Sequence, residues 1–133
     1  MDAPPPVAAS VHVRRVIDGD TIELREVGAD GHYERVRLSR ITAPELGARS
    51  SALRGRAYSA RDRLRALSVG VEVVIVRESL DKYGRTIARL WARDARGEWR
   101  DVEEVLVDEG LVEWWQDFER RQRRSSREPS KMV

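Results

Sequence analysis

Three short polar segments of the chain contain residue types that suit the hydrolysis of a phosphodiester bond. They are Asp18 to Thr21, Arg37 to Glu45, and Asp81 to Arg85. This reaction needs cations or guanidinium groups to neutralise the charge that grows on the phosphoryl oxygens, and a base to activate or orient a water molecule. The three segments supply carboxylates and arginines for both tasks.

Each candidate residue also has a plainer interpretation. Asp20 follows a turn, where a carboxylate can bind a hard ion such as Ca²⁺, but the same turn also suits a simple hairpin. Arg37 and Arg85 adjoin strand-like runs and can hold one phosphate through paired hydrogen bonds. In a chain with 25 basic residues, however, an arginine is more commonly a solvated surface residue. Glu45 follows a proline that fixes the loop, and it is either a base or an ordinary loop carboxylate.

Hydrophobic periodicity predicts five strands around these segments. Apolar and polar residues alternate in the amino-terminal half, Gly-containing turns separate the runs, and β-branched residues dominate the later ones. The predicted strands are Val11 to Val16, Thr21 to Val27, Tyr33 to Ile41, Val71 to Val76 and Thr86 to Ala92.

Two helices are predicted between and after these strands, and a third near the carboxyl terminus. Apolar residues recur at steps of three and four in a segment that begins near Gly55 and stops at Gly70. Asp101 and Glu104 have the spacing of a capping box, so a second helix is predicted to begin there. The polar, arginine-rich stretch from Asp117 to Arg127 predicts a short exposed helix.

This order of elements favours a mainly β member of the α+β class, a five-stranded barrel of the oligonucleotide-binding (OB) type with two to three helices. The chain has 133 residues, which suits one domain. We expect a flexible segment over residues 1–10, the barrel domain over 11–118, and a basic helix or tail over 119–133.

Composition narrows the class of protein further. The chain has no cysteine, which excludes disulfides and thiolate zinc sites. Its net charge is only +2, so charge alone does not predict a nucleic-acid partner. No segment has the length and hydrophobicity of a signal peptide or a membrane span, so we expect a cytoplasmic protein without a membrane partner. A phage-encoded or mature secreted form fits the same sequence.

The three segments, in this order and each beside a strand, resemble the staphylococcal nuclease-like (thermonuclease) family over roughly residues 11 to 115. The resemblance implies the same barrel and a calcium-dependent endonuclease that cleaves DNA, RNA or both and leaves 3′-phosphate ends. It also implies roles for individual residues. The family's positions fall on Asp20 and its neighbour Asp18 for the metal, on Arg37, Glu45 and Arg85 for catalysis, and on Lys82 and Tyr83 for the nucleotide.

Thr42 departs from the family pattern, because most active members have a metal-binding aspartate there. Threonine offers a hydroxyl or its backbone carbonyl, and the site loses one negative charge, so we expect weaker metal binding. Two hypotheses follow. The protein is a calcium-dependent nuclease, or it is a catalytically impaired OB domain that binds single-stranded nucleic acid or a protein partner.

Aromatic residues near the carboxyl terminus are candidates for nucleic-acid binding. Trp115 or Phe118 can stack on a base of a single strand, although such aromatics also commonly close a core. The arginines that follow either attract phosphates or form a solvated face. We expect a monomer that acts on DNA or RNA, preferentially single-stranded.

Overall fold

The computed structural model describes residues 3–127 of the chain, and most of the runs with strand-like periodicity form one sheet. The strands are β1 (Ala9–Val11), β2 (Val13–Asp18), β3 (Thr21–Val27), β4 (Tyr33–Leu38), β5 (Ile41–Thr42), β6 (Val73–Leu80), β7 (Thr86–Arg93), β8 (Trp99–Asp101) and β9 (Glu113–Trp114). The helices are α1 (Ser51–Ser68), α2 (Val102–Asp108) and α3 (Trp115–Arg127).

The strand order in the main sheet is β1-β6-β7-β4-β3-β2, with β8 paired to β7 and a separate pair of β5 with β9. All pairs are antiparallel except β4 with β7, which run parallel. Only His12 separates β1 from β2, and its carbonyl accepts a hydrogen bond of 2.8 Å from Arg25 N–H in β3. The two edge strands of the sheet, β1 and β2, are therefore consecutive in the chain, as expected for a small barrel of the OB type.

The predicted mainly β member of the α+β class is confirmed, with three helices. The five longest strands match the five predicted runs, but the run from Tyr33 to Ile41 divides into β4 and β5. The chain turns there because Ser39 N–H bonds to Ala88 O and Arg40 N–H bonds to a carboxylate of α2.

Three element boundaries lie earlier than predicted. Helix α1 begins at Ser51 rather than near Gly55, because the Ser50 side chain accepts a hydrogen bond from Leu53 N–H and caps the helix. Helix α3 begins at Trp115. Residues 9 and 10 pair with β6, so the assignment of these residues to a flexible segment is wrong. Residues 1–2 and 128–133 of the predicted terminal segments lie outside the described residues.

The core lies between the sheet and the two helices α1 and α2. In β4, Val36 and Leu38 are fully buried, so Arg35 and Arg37 take the opposite face of the strand. Burial of one large aliphatic side chain contributes about 1.5 to 3 kcal/mol, so this alternation fixes the register of the strand firmly. No helix within residues 3–127 combines the length and hydrophobicity needed to cross a membrane.

Gly19 sits in a tight contact between the β2–β3 turn, helix α1 and the loop after β5. A Cβ atom at this position would lie 2.7 Å from Cβ of Ala60 and 2.8 Å from Cβ of Ala43. Glycine is therefore the residue that lets this turn, with its two aspartates, pack directly against the loop that leads to Glu45.

Candidate active site

Asp20 connects the β2–β3 turn to the loop after β5. Its side chain is buried, and the whole residue is only 8% exposed. One carboxylate oxygen accepts a hydrogen bond of 2.9 Å from the Thr21 hydroxyl, and the other accepts one of 2.8 Å from Ala43 N–H. Hydrogen bonds thus fix both carboxylate oxygens of the predicted metal-binding aspartate, and one of them joins it to Ala43, which lies two residues before Glu45.

Arg37 lies beside Asp20, because Thr21 and Arg37 are paired across β3 and β4. Its Nη2 is 3.5 Å from Oδ2 of Asp20, and its side chain is 18% exposed. Nη1 donates hydrogen bonds of 2.6 Å to Leu38 O and 2.8 Å to Ile41 O. The guanidinium is therefore fixed through one nitrogen, while other N–H groups remain to bind an anion.

Asp18 is the second carboxylate at this turn. Its Oδ1 accepts a hydrogen bond of 3.1 Å from Asp20 N–H. Burial, together with the hydrogen bonding and negative charge of Asp20, raises the pKa of Asp18 to about 6. Two carboxylates that hinder each other's ionisation form an environment that a cation stabilises.

The donor chemistry at this turn fits a hard divalent ion, since Asp18 and Asp20 offer carboxylate oxygens and Thr42 offers neutral oxygens. Within the described part of the chain, only two carboxylates, those of Asp18 and Asp20, are available to bind such an ion. Among residues 3–127, no group of three or more acidic, histidine or cysteine side chains lies close enough to form a metal site. Glu45 therefore does not join the two aspartates as a third clustered carboxylate.

Thr42 and Glu45 line an open cleft of about 700 Å³ between the loop after β5, helix α1 and helix α3. Thr42 is anchored in β5 by pairing with Glu113 of β9. Glu45 is exposed, and no residue that the structure describes donates a hydrogen bond to its carboxylate. A carboxylate with free oxygens at the edge of a cleft is suitably placed to accept a proton from water.

Arg85, Lys82 and Tyr83 belong to the turn between β6 and β7. Asp81 holds this turn, since its Oδ1 accepts hydrogen bonds from Tyr83 N–H and Arg85 N–H, both 2.9 Å long. Its Oδ2 accepts a bond of 2.7 Å from Nε of Arg85. Tyr83 is 73% exposed, and the centroid of its ring lies 5.2 Å from Lys82 Nζ and 5.6 Å from the guanidinium carbon of Arg85.

Arg37 and Arg85 lie on neighbouring parallel strands. The register pairs Val36 with Thr86, so Arg85 directly precedes the first paired position of β7. The Arg85 side chain lines a second open cleft, of about 750 Å³, together with Tyr83. The structure thus brings Asp18, Asp20 and Arg37 into one cluster, with Glu45 and Arg85 on two different clefts near it.

Trp115 and Phe118 stack on each other, with ring centroids 5.3 Å apart and an angle of 24° between the planes. Trp115 is 41% exposed, and Phe118 lines the cleft that contains Glu45. Both predicted stacking residues are therefore on the surface near the candidate site. Trp114, by contrast, packs against the hydrophobic core.

Arg56 of α1 lines the cleft of Glu45, but nothing in its local sequence separates it from the other arginines. Arg121 of α3 lines the same cleft, and it is one of the carboxyl-terminal arginines that were predicted either to bind phosphates or to form a solvated face. Arg40 bonds to the buried carboxylates of Asp101 and Glu103, which lie 61 and 63 residues away. No periodic pattern could reveal those contacts.

Residues 35–131 match the model of the family described as staphylococcal nuclease homologue. The chain belongs to the staphylococcal nuclease homologue family. The family match contains Arg37, Glu45 and Arg85, and it begins after Asp18 and Asp20. The family resemblance noted from the sequence is thereby confirmed.

Three curated relatives are similar to this family member. Thermonuclease from Staphylococcus intermedius is 39% identical over 84 residues, which are 62% of this chain and 48% of the relative. Micrococcal nuclease from Shigella flexneri is 34% identical over 104 residues, 75% of this chain and 55% of the relative. An uncharacterized endonuclease from Escherichia coli O157:H7 is 32% identical over 112 residues, 81% of this chain and 63% of the relative. The chain thus spans between about half and just under two thirds of these relatives.

Proposed function

We propose that this protein is a calcium-dependent endonuclease that hydrolyses phosphodiester bonds of DNA, RNA or both. The observation that carries the proposal is the fixed position of the Arg37 guanidinium, 3.5 Å from the buried carboxylate of Asp20. A guanidinium held beside a carboxylate, with N–H groups to spare, suits a phosphate that binds between an arginine and a cation. The names of the relatives, which include nucleases, support the same reaction class.

Asp20 and Asp18 are the proposed charged ligands of the ion, and Thr42 contributes a neutral oxygen. A bound Ca²⁺ would polarise a phosphoryl oxygen and stabilise its growing charge. The raised pKa of Asp18 supports this assignment, because the site holds more negative charge than its protein partners neutralise. With two carboxylates rather than three, we expect calcium binding to be weak.

Glu45 is the proposed base. It accepts a proton from the attacking water, whose oxygen forms a bond to phosphorus while the bond from phosphorus to the 5′ oxygen breaks. The 5′ oxygen takes up a proton, and the phosphate remains on the 3′ end. Arg37 and Arg85 donate hydrogen bonds to the phosphoryl oxygens, which become more negative in the transition state.

Four further residues are proposed to bind the rest of the nucleic acid. Lys82 and Tyr83, beside Arg85, contact the phosphate and sugar of the nucleotide. Trp115 and Phe118 stack on bases, which requires unpaired bases and therefore favours a single strand. A monomer that acts in the cytoplasm remains our prediction.

The test is cleavage of single-stranded DNA across a calcium series that reaches millimolar concentrations. We expect cleavage by the wild type that a chelator abolishes, and 3′-phosphate ends that a phosphatase removes. Glu45→Ala should lose this activity, whereas Glu78→Ala, which removes an exposed glutamate of β6, should keep it. Equal activity in both variants would refute the role of Glu45.

The second candidate function is a nuclease-like module that binds single strands or a protein partner without cleavage. It is favoured by Asp20, both of whose carboxylate oxygens already accept hydrogen bonds from the protein, and by the missing charge at Thr42. No cleavage at any calcium concentration, with binding that survives chelation, would establish this alternative.

A further inference from the structure

The buried carboxylate of Glu103 holds Arg40 at both its backbone and its side chain. Oε2 accepts a hydrogen bond of 2.7 Å from Arg40 N–H, and Oε1 accepts one of 3.0 Å from Nε of Arg40. Glu103 is 0% exposed, although it lies in the first turn of α2 and carries an ionisable group. Arg40 is thereby linked to a helix 63 residues further along the chain.

Two more contacts complete the attachment of Arg40. Its Nη2 donates hydrogen bonds of 2.8 and 2.7 Å to the two carboxylate oxygens of Asp101. Its carbonyl accepts a bond of 2.6 Å from Trp115 N–H, at the start of α3. The backbone of this residue is therefore fixed from both sides by separate elements.

A buried ion pair of this kind is a weak source of stability. Burial raises the pKa of Glu103 against the lowering influence of Arg40, so its ionised form is costly in this position. Buried ion pairs often stabilise a protein no more than apolar residues of similar volume would. We therefore consider the hypothesis that this ion pair fixes the conformation of the chain at Arg40.

The turn that Arg40 occupies is also the support of the Arg37 guanidinium. Nη1 of Arg37 donates to Leu38 O and Ile41 O, the carbonyls on either side of the segment that contains Arg40. A shift of this turn must move both acceptors. The path from Glu103 to the guanidinium therefore runs through one anchored residue and two short hydrogen bonds.

We propose that Glu103 is a positioning residue, which holds the turn from Leu38 to Ile41 so that the Arg37 guanidinium is aimed at the phosphate. The catalytic consequence rests on the proposed nuclease function, whereas the effect on the orientation of Arg37 does not. Glu103 touches neither substrate nor metal, and it acts only through Arg40 and the turn.

The first test compares Glu103→Gln with Glu109→Gln. Glutamine keeps an oxygen for Arg40 N–H but places an amide NH₂ against Nε. Glu109 forms an exposed two-bond ion pair with Arg63 and thus controls for the loss of any Arg–Glu pair. Both variants are assayed well below their melting temperatures. We expect kcat to fall about 10- to 100-fold in Glu103→Gln with KM nearly unchanged, and neither to change in Glu109→Gln.

A double-mutant cycle separates positioning from a general structural role. In an Arg37→Lys background, measured in single turnover, Glu103→Gln should cost little further activity, because the group that it positions is gone. If the two losses instead multiply, or if Glu103→Gln retains full kcat, the proposal is overturned. Should Glu103→Gln fail to fold, Arg40→Lys replaces it and should show the same dependence on Arg37.

A spectroscopic measurement tests the effect of Glu103 on Arg37 without an activity assay. The guanidinium protons of Arg37 should exchange slowly with water in the wild type, as seen by ¹⁵N NMR, and lose this protection in Glu103→Gln but not in Glu109→Gln. Unchanged protection overturns the proposal. If the wild type cleaves no nucleic acid but Glu103→Gln still loses the protection, the nuclease function is refuted and the positioning role of Glu103 remains supported.

Discussion

The Arg37 guanidinium of β4 lies 3.5 Å from the carboxylate of Asp20, in the turn directly before β3, and each group is also hydrogen-bonded to the turn or loop that follows β4 or β5. Arg37 donates to the Ile41 carbonyl, and Asp20 accepts from Ala43 N–H. The predicted phosphate-binding and metal-binding groups are therefore linked through the stretch from Ile41 to Ala43, and a substitution of either residue should alter the position of the other.

Arg37→Lys should lower kcat/KM for cleavage of single-stranded DNA by about 100-fold, because the ammonium cannot bond to both turn carbonyls and also present a second nitrogen to phosphate. Arg35→Lys is the matched control, since Arg35 lies on the same face of β4 and pairs with Glu23. Its activity should stay within a few-fold of the wild type. Equal losses in the two variants would show that Arg37 has no special part in the reaction.

Thr42→Asp should tighten calcium binding by about tenfold, because it adds a third carboxylate to a site with two. The change is measurable by calorimetry and by the calcium concentration that gives half-maximal cleavage. Ser79→Asp, which adds the same charge on an exposed part of β6, should leave both quantities unchanged. Calcium binding that does not improve in Thr42→Asp would place the metal elsewhere.

Asp18 predicts a dependence of stability on pH. Its pKa of about 6 in the folded state lies above the ordinary value of 3.8, so the folded protein binds this proton more tightly than the unfolded chain does. The free energy of unfolding of the metal-free protein should therefore fall as the pH rises from about 4 to 6. Asp18→Asn avoids this loss and should be more stable at pH 8 by at most about 3 kcal/mol, since each pKa unit corresponds to about 1.4 kcal/mol.

The measurement is urea unfolding at several pH values, with Asp108→Asn as the control for removal of an exposed carboxylate. The advantage of Asp18→Asn should vanish below about pH 4, where Asp18 is protonated in both states. Saturating calcium should also reduce it at pH 8. An advantage that stays constant across the whole pH range would contradict the assignment of the raised pKa to Asp18.

Gly19→Ala should reduce the free energy of unfolding by about 1 to 3 kcal/mol, because its Cβ atom would overlap Ala60 and Ala43. Gly47→Ala is the matched control, since a Cβ atom there has no neighbour within 4 Å. Chemical denaturation compares the two variants directly. If Gly19→Ala is as stable as Gly47→Ala, the turn and helix α1 are less tightly packed than the structure indicates.

Local sequence patterns predicted the features that depend on local physics. The predicted N-cap of α2 is present, since the Asp101 side chain accepts a hydrogen bond from Glu104 N–H at 3.2 Å. The alternation in β4 correctly separated buried Val36 and Leu38 from the arginines on the other face. Both predictions rest on residues within one turn of helix or one strand.

Contacts between distant parts of the chain could not be predicted from local sequence patterns. Nothing local in the sequence pairs Arg40 with Glu103, because their contact exists only once α2 has packed near the end of β4. The roles of Asp20, Arg37, Glu45 and Arg85 came from a family resemblance rather than from spacing. The split of Glu45 and Arg85 between two clefts depends on how the loops pack, which periodicity does not encode.

The parallel pairing of β4 with β7 has a consequence for the newly made chain. Val36 and Thr86 are joined by a crossover that includes α1 and β6, and long-range parallel pairing forms slowly compared with hairpins. Arg37 and the start of β7, which Arg85 directly precedes, are therefore brought together only after β7 has been synthesised and has docked. A partly translated chain lacks this arrangement of the two arginines, so any function that needs both of them begins only after most of the domain has been made.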